Sequence, residues 1–325
     1  MPSELRLGTR GSQLALWQAN AVAERIRQAG GPPCRTVVIK TSGDRLQDAP
    51  LSSAGGKRLF VKEIEDALLG GEIDLAVHSS KDMPAVLPGG LTIAAVLPRE
   101  DPLDALVLPG GSRTPASLED LVGMLGQAPS IGTSSVRRIA QLLRAFPAAR
   151  FDPIRGNLDT RLRKLDGGGY RALVLAAAGL RRLGFGSRIS FALPASVCVP
   201  APGQGIVAIE VREDDEPTRA IVSRISDAAA SAALTAERAL VVALGGGCQT
   251  PIGALASLLD AQTLELTAVV VALDGSRAVR KHARGAHRDA EALGKDVGAQ
   301  LLADGAGDIL AEASKLQPAL PTHPS

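Results

Sequence analysis

The sequence is poor in aromatic residues and in cysteine. Phe, Trp and Tyr make up 2% of the 325 residues, so a core must be built from Ala, Leu, Val and Ile. The three cysteines, Cys34, Cys198 and Cys248, are odd in number and widely spaced, which excludes a disulfide framework and a CxxC metal pair. The four histidines give no metal-ligand spacing either. We therefore expect no metal site.

Long apolar runs and a strong net charge are also missing. No run approaches the roughly 20 apolar residues that span a bilayer, and the first residues lack the pattern of a signal peptide. We therefore expect no membrane partner and a reducing, cytoplasmic location. The formal net charge of +2 predicts no nucleic-acid partner.

Strand and helix patterns alternate through most of the chain, which predicts an α/β fold with largely parallel sheets. Proline-marked segments at 98–102 and 194–202 suggest two crossings between two hinged lobes. A smaller α+β unit follows. The predicted domains are 1–100 together with 201–222, then 103–198, then 226–325 with Cys248.

Basic side chains cluster at predicted strand-to-helix turns. Arg137 and Arg138 fall in the first turn of a helix, and Arg155 and Arg10 precede two other helix starts. A helix N-terminus attracts anions, and paired guanidinium groups bind carboxylate or phosphate at two points. These turns predict a ligand with several negative groups in the cleft between the lobes. The alternative is a set of solvated basic helix ends.

Two side chains stand out near predicted loops. Asp82 follows a predicted strand beside Lys81, so it forms either a surface ion pair or a carboxylate that balances positive charge in a substrate. Cys248 lies in a glycine-rich loop that presents the thiol, although most cysteines only fill core space. Residues 42–60 form a long polar segment, which is typical of a lid or a binding loop.

An ordered set of motifs resembles the porphobilinogen deaminase (hydroxymethylbilane synthase) family over nearly the whole chain. The motifs lie at residues 6–18, 55–57, 59–63, 76–84, 132–138, 154–162, 201–205 and 246–253. The resemblance implies two hinged periplasmic-binding-protein-like (type II) lobes plus the smaller C-terminal domain. It also implies an enzyme that adds four porphobilinogen molecules head to tail to a dipyrromethane cofactor. The cofactor is joined to Cys248 by a thioether, and ammonia leaves at each addition before hydroxymethylbilane is released.

The resemblance also implies roles for individual residues. Asp82 is the catalytic carboxylate, which stabilises positive charge that develops on pyrrole nitrogens. The implied cofactor-binding residues are Cys248, Ser12, Lys81, Asp82, Ser135, Arg137, Arg138, Arg155 and Gly156. The implied substrate-binding residues are Arg10, Ser12, Arg155, Arg161, Arg182 and Gln204. Lys57 and Phe60 match the family's active-site loop, where Ser53 and Arg58 depart from some members. Residues 109–129 look longer than in compact members of the family, which predicts a surface insertion in the second lobe.

Two other functions stay open at this point. A non-catalytic, two-lobed anion-binding receptor would need neither the thiol nor residues 226–325. An acyltransferase with a thiol nucleophile would need a positioned base such as His, and none is apparent. The resemblance instead implies porphobilinogen as the substrate, a monomer, and transient handover of the product to uroporphyrinogen-III synthase.

Overall fold

The computed structural model describes residues 2–45, 61–247 and 250–316. These residues form two five-stranded sheets and one three-stranded sheet, each covered by helices. The largest fully buried side chains are those of Leu and Ile, as the shortage of aromatic residues predicts. The predictions for Lys57, Phe60, Cys248 and the last nine residues fall outside the described residues.

The first lobe opens with alternating strands and helices. Helix α1 begins after Ser12, whose hydroxyl caps the helix by accepting a hydrogen bond from the backbone N–H of Ala15 at 3.3 Å. The elements of this segment are β1 (Leu5–Thr9), α1 (Gln13–Gln28), β2 (Cys34–Val38), α2 (Ser42–Arg45), α3 (Lys62–Leu69), β3 (Leu75–Ser79) and β4 (Leu91–Val96).

The second lobe repeats the alternation. Its elements are β5 (Asp104–Val107), α4 (Leu118–Leu125), β6 (Ser130–Gly132), α5 (Val136–Ala145), β7 (Arg150–Asp152), α6 (Leu158–Asp166), β8 (Ala172–Ala176), α7 (Ala177–Arg182) and β9 (Phe191–Leu193). Helix α4 lies in the segment predicted to be a surface insertion. It nevertheless buries Leu121 and Leu125 in the core of this lobe, so that prediction is wrong for its apolar face.

The chain then returns to the first sheet through β10 (Val207–Arg212), which α8 (Glu216–Val222) follows, and this return is as predicted. The strand orders are β2-β1-β3-β10-β4 and β7-β6-β8-β5-β9. Strands β1 and β6 run parallel to both neighbours, whereas β10 and β5 run antiparallel to both of theirs. The other four strands of each sheet point in one direction, so the prediction of largely parallel sheets is confirmed apart from this one reversed strand. Strand β5 follows the crossing into the second lobe, and β10 follows the crossing back into the first. Neither strand is therefore set in direction by a βαβ unit.

The C-terminal unit is an antiparallel sheet in the order β11-β12-β13, packed against two helices. Its elements are α9 (Ala228–Ala243), β11 (Ile252–Leu258), β12 (Thr263–Val271), β13 (Ala278–Ala286), α10 (Ala290–Leu301) and α11 (Gly307–Leu316). Helix α10 approaches α9 closely at Gly294, where a Cβ atom would lie 2.2 Å from the carbonyl oxygen of Ala236. The α/β class with a smaller α+β unit is confirmed, and the domain bounds stay a prediction.

Candidate active site

A 3-10 turn at Ser80–Asp82, directly after β3, lies between two cavities. Ser79 and Asp82 line one cavity, which has an empty volume of about 430 Å³. Ser80 and Lys81 line the other, of about 600 Å³. Gly203 packs against the turn with a φ of +73°, and a Cβ atom there would lie 2.6 Å from the Ser80 hydroxyl.

The smaller cavity lies in the first lobe, beside the start of α1. Its lining includes Arg10, Ser12 and Asp82, which the sequence assigned to one site. Gln18 of α1 donates a hydrogen bond to the Ser79 hydroxyl at 2.9 Å and so fixes the wall between helix and strand. Asp82 is exposed, so its carboxylate is accessible to a ligand.

The larger cavity is lined by all three parts of the molecule. The first lobe contributes Lys81, the second contributes Ser135 and Arg137, and the C-terminal unit contributes Gly247 and Thr250. Gly247 and Thr250 flank residues 248–249 in the sequence. The loop that carries the predicted cofactor thiol therefore borders this cavity.

Arg137 and Arg138 at the start of α5 share one buried carboxylate, that of Asp104. Arg137 donates to it at 2.7 Å through Nη1, and Arg138 donates at 2.9 Å through Nε. Only 4% of Arg137 and 8% of Arg138 are exposed, so the alternative of a solvated basic helix end is wrong. Burial opposes ionisation of Asp104, but the two guanidinium groups hold its pKa far below the usual range.

Lys81 joins this network through Gln204. The Gln204 amide donates to Asp104 at 2.9 Å and to the Pro102 carbonyl at 2.8 Å, and its oxygen accepts from the Lys81 ammonium at 3.2 Å. Burial, with help from Arg138, lowers the pKa of Lys81 to about 8, although Asp82 and Asp104 act in the opposite direction. A carboxylate ligand beside Lys81 would relieve this penalty.

Helix α6 adds a further basic group on the second lobe. Arg161 donates through Nε to the Gly156 carbonyl at 2.8 Å. Gly156 has a φ of +106°, and a Cβ atom there would lie 2.9 Å from the Thr160 side chain, so the position requires glycine. Burial and then the charges of Arg138 and Arg155 lower the pKa of Arg161 to about 10, while Asp82 raises it. Burial also lowers the pKa of Arg155.

Comparison with known proteins places this site in a family. The family description "Porphobilinogen deaminase, dipyromethane cofactor binding domain" matches residues 5–220, and "Porphobilinogen deaminase, C-terminal domain" matches residues 231–303. The chain belongs to the porphobilinogen deaminase family. The resemblance inferred from the ordered motifs is thereby confirmed.

Individual relatives agree with the family match. The porphobilinogen deaminase of Moorella thermoacetica is 46% identical over 310 residues, which cover 95% of this chain and 96% of that protein. The porphobilinogen deaminase of Geobacter metallireducens is 46% identical over 312 residues, 96% of this chain and 95% of that protein. Among solved structures, the BvgS VFT2 domain of Bordetella pertussis is 15% identical with a TM-score of 0.41, over 69% of this chain and 86% of that chain.

The larger cavity fits dipyrromethane, the cofactor named in the description of the first matching porphobilinogen deaminase domain. A dipyrromethane with acidic side chains needs cations along its length and a thiol at one end. Lys81, Arg137 and Arg238 line the cavity, and the Cys248 loop borders it. The chemistry of these donors therefore fits the cofactor.

Four implied substrate residues of the porphobilinogen deaminase site lie in neither cavity lining, namely Arg155, Arg161, Arg182 and Gln204. Gln204 is 1% exposed and forms hydrogen bonds with Asp104 and Lys81, so it positions these two residues. Arg182 lies over the ring of Trp17, with its guanidinium carbon 5.5 Å from the ring centroid, and donates to the Gly205 carbonyl at 2.6 Å.

Sequence reasoning missed two residues of the porphobilinogen deaminase site. Asp104 begins the buried strand β5, and its charge within an apolar segment was the available signal. Arg238 lies on α9 with Leu234 and Val241, and all three line the larger cavity at helical spacing. Arg238 also donates to the Ala85 carbonyl at 2.8 Å.

Glu237 joins the C-terminal unit of this porphobilinogen deaminase to both crossings between the lobes. Its buried carboxylate accepts hydrogen bonds from Arg99 at 2.6 Å, from the Gly203 N–H at 2.5 Å and from the Ala256 N–H at 2.7 Å. Arg99 in turn donates to the Gln204 carbonyl at 2.8 Å. The contacts fix the segment that packs against the turn between the cavities.

The described ranges contain no group of three or more His, Cys, Asp or Glu side chains placed to hold a metal ion. Within the same ranges, no helix is both long and apolar enough to cross a membrane.

Proposed function

We propose that this chain is a hydroxymethylbilane synthase, which joins four porphobilinogen molecules head to tail on a covalent dipyrromethane primer. One observation on this chain, together with its family membership, supports the proposal. Consecutive residues Lys81 and Asp82 line two adjoining cavities, of which one borders the Cys248 loop and the other contains Arg10 and Ser12.

The larger cavity is proposed to hold the primer. When bound, dipyrromethane supplies the free pyrrole carbon to which each new unit is joined. Cys248 would hold its near end through a thioether, and basic and hydroxyl groups would bind its carboxylates. Those groups are Ser12, Lys81, Ser135, Arg137, Arg138 and Arg155, and Asp82 and Gly156 complete the proposed cofactor-binding set. The lowered pKa of Lys81 supports this assignment, because burial makes the charged ammonium costly and a carboxylate ligand would offset that cost.

The smaller cavity is proposed to admit porphobilinogen, which carries an acetate and a propionate. The proposed substrate residues are Arg10, Ser12, Arg155, Arg161, Arg182 and Gln204, with Lys57 and Phe60 acting from the active-site loop. The pKa values of Arg155 and Arg161 are lowered from the usual value by burial, and this supports a carboxylate ligand that would offset the cost of each charge.

Asp82 is proposed to act on the reacting atoms. In each cycle the carbon–nitrogen bond of the aminomethyl group breaks and its electron pair leaves with ammonia. The remaining pyrrole bears positive charge, which the fixed carboxylate of Asp82 stabilises. A carbon–carbon bond then forms to the free pyrrole carbon of the growing chain. Asp82 takes part in removing the proton from that carbon.

Intact-mass measurement of the purified protein tests the covalent primer. We expect a mass above that of the sequence by one dipyrromethane, retained in Cys34→Ala and lost in Cys248→Ala. Cys34 is the matched control because it lies at the far edge of the first sheet, on β2. A fully active protein with no added mass would refute the proposal.

Substitution of Asp82 by Asn tests the charge, because the two side chains have nearly the same shape. Removal of one electrostatic contact to the transition state costs roughly 10²–10³-fold in kcat. We expect a folded protein with that loss in hydroxymethylbilane formation and ammonia release. Wild-type turnover would remove Asp82 from the mechanism.

The same measurements separate the other functions. An anion-binding receptor would bind porphobilinogen without releasing ammonia, and an acyltransferase would be acylated at Cys248 by thioesters. We also propose a cytoplasmic monomer that passes its product to uroporphyrinogen-III synthase. Light scattering of the purified protein tests the monomeric state, and a pull-down with that synthase tests the handover.

A further inference from the structure

Trp17 and Arg182 form a contact between the two lobes that the proposed reaction leaves without an explanation. Trp17 is the single tryptophan of the chain and lies on α1, yet 40% of it is exposed. Arg182 ends α7 on the other lobe. Its guanidinium carbon lies 5.5 Å from the centre of the Trp17 ring, within the distance of a cation–π contact. Core packing does not account for an indole at this position.

The Arg182 guanidinium is held at a second point by the crossing between the lobes. It donates through Nη2 to the Gly205 carbonyl at 2.6 Å. Gly205 has a φ of +89°, and a Cβ atom there would lie 2.3 Å from the Glu100 carbonyl oxygen. The acceptor is therefore fixed by the close packing of both crossings. Burial lowers the pKa of Arg182, although the charge of Glu100 opposes this.

The two contacts leave part of the guanidinium able to bind an anion. A guanidinium has five N–H donors, and a cation–π contact attracts its charge without being a conventional hydrogen bond to an oxygen acceptor. The Gly205 carbonyl takes one donor. The other donors can therefore bind a carboxylate while the contact with Trp17 persists. Leu14 and Gln18, on the same helix as Trp17, line the smaller cavity, so the contact lies at its border.

We infer that Trp17 is a positioning residue for the substrate carboxylate. Its indole face holds the Arg182 guanidinium across the gap between the lobes, where the other guanidinium donors can bind porphobilinogen. The inference rests on the proposed function, because it concerns the substrate of that same site. It assigns the exposed tryptophan a role in substrate affinity and none in the chemical step.

Steady-state kinetics of the full-length holoenzyme test the inference. A cation–π contact of this kind changes an equilibrium by roughly 2- to 30-fold. We expect Trp17→Leu to raise KM for porphobilinogen within that range and to leave kcat within about twofold. Trp17→Phe, which keeps an aromatic face, should raise KM less. Leu302→Ala is the matched control, since Leu302 is 41% exposed and lies in the C-terminal unit.

A double-mutant cycle distinguishes positioning from general damage. Lysine keeps the charge of Arg182 but has no planar face, so Arg182→Lys should raise KM about as much as Trp17→Leu. The double variant should be no worse than Arg182→Lys alone, because both changes remove one contact. Additive effects, or a fall in kcat at unchanged KM, would overturn the inference.

Fluorescence gives a readout that a purely structural role would not change. Because Trp17 is the single tryptophan, its emission reports directly on this contact. In the slow Asp82→Asn background, porphobilinogen should change the emission, and Arg182→Lys should abolish that change. An identical response in both proteins would overturn the inference. If wild-type enzyme makes hydroxymethylbilane while Trp17→Leu has wild-type KM, only the inference fails. If wild-type enzyme makes none, the proposed function fails.

Discussion

Substitution of Asp104 by Asn is the sharpest test of how the basic site is held together. Asp104 is fully buried, and its carboxylate accepts hydrogen bonds from Arg137, Arg138 and Gln204. Asparagine has nearly the same size but no charge. The substitution therefore leaves two guanidinium groups in the interior without the carboxylate that balances them.

The expected loss of stability is about 3–5 kcal/mol, the typical cost of removing one partner from a buried ion pair. The full loss applies at neutral pH. Arg137 and Arg138 outweigh burial and lower the pKa of Asp104 below its usual 3.8. A carboxyl group with a depressed folded-state pKa contributes its stability above the unfolded-state value, and this contribution declines only as the pH falls below about 4.

Urea unfolding of the Asp104→Asn protein measures this loss. Asp166→Asn is the matched control, because Asp166 pairs with Arg188 at the surface and should cost roughly 0–1 kcal/mol. Added citrate should stabilise Asp104→Asn more than the wild type, since an external carboxylate can replace the missing one. A stability within about 1 kcal/mol of the wild type, with no citrate effect, would refute the reasoning.

Three further predictions concern the surroundings of this network. Burial lowers the pKa of Lys81 to about 8 from 10.5, so the unfolded chain binds more protons between these values. In the Cys248→Ala protein, which we expect to lack the primer, stability should therefore rise by up to about 3 kcal/mol as the pH increases across that window. Urea midpoints at several pH values measure this rise, and Lys81→Met should abolish it. Glu237→Gln should lower stability by about 3 kcal/mol in the same assay, because it leaves the Arg99 charge without its buried partner. Gly203→Ala should cost at least about 1–2 kcal/mol and reduce kcat, since its φ is +73° and its Cβ would press on Ser80.

Local signals in the sequence predicted several elements closely. Helix α6 spans Leu158–Asp166, and the local sequence marks both bounds, with Asn157 at its start and Gly167 at its end. Strand β11 was missed because the glycine-rich stretch that extends to Gly253 obscures a strand beginning at Ile252. Its pairing with β12 depends on a partner that lies later in the chain. Such tertiary information is absent from a local window.

The site was predicted in part for a similar reason. The sequence places Lys81 and Asp82 together at the end of a strand, and the structure finds them at adjoining cavities. It could not show that Arg137 and Arg138 share Asp104, which lies more than thirty positions earlier in the chain. An arginine that awaits a ligand and one that is already paired have the same local pattern. Only the fold distinguishes them.

The charge balance around the turn explains why one shared carboxylate suits this site. Five cationic side chains and two carboxylates interact there, which leaves an excess of three positive charges. They are Lys81, Arg137, Arg138, Arg155 and Arg161, with Asp82 and Asp104. Without Asp104, the unliganded site would carry two unbalanced guanidinium groups in its interior, at a cost of several kcal/mol. With enough acids to neutralise every cation, a carboxylate ligand would gain little on binding. A single internal carboxylate keeps the basic groups in place and still leaves a positive charge for the ligand to neutralise.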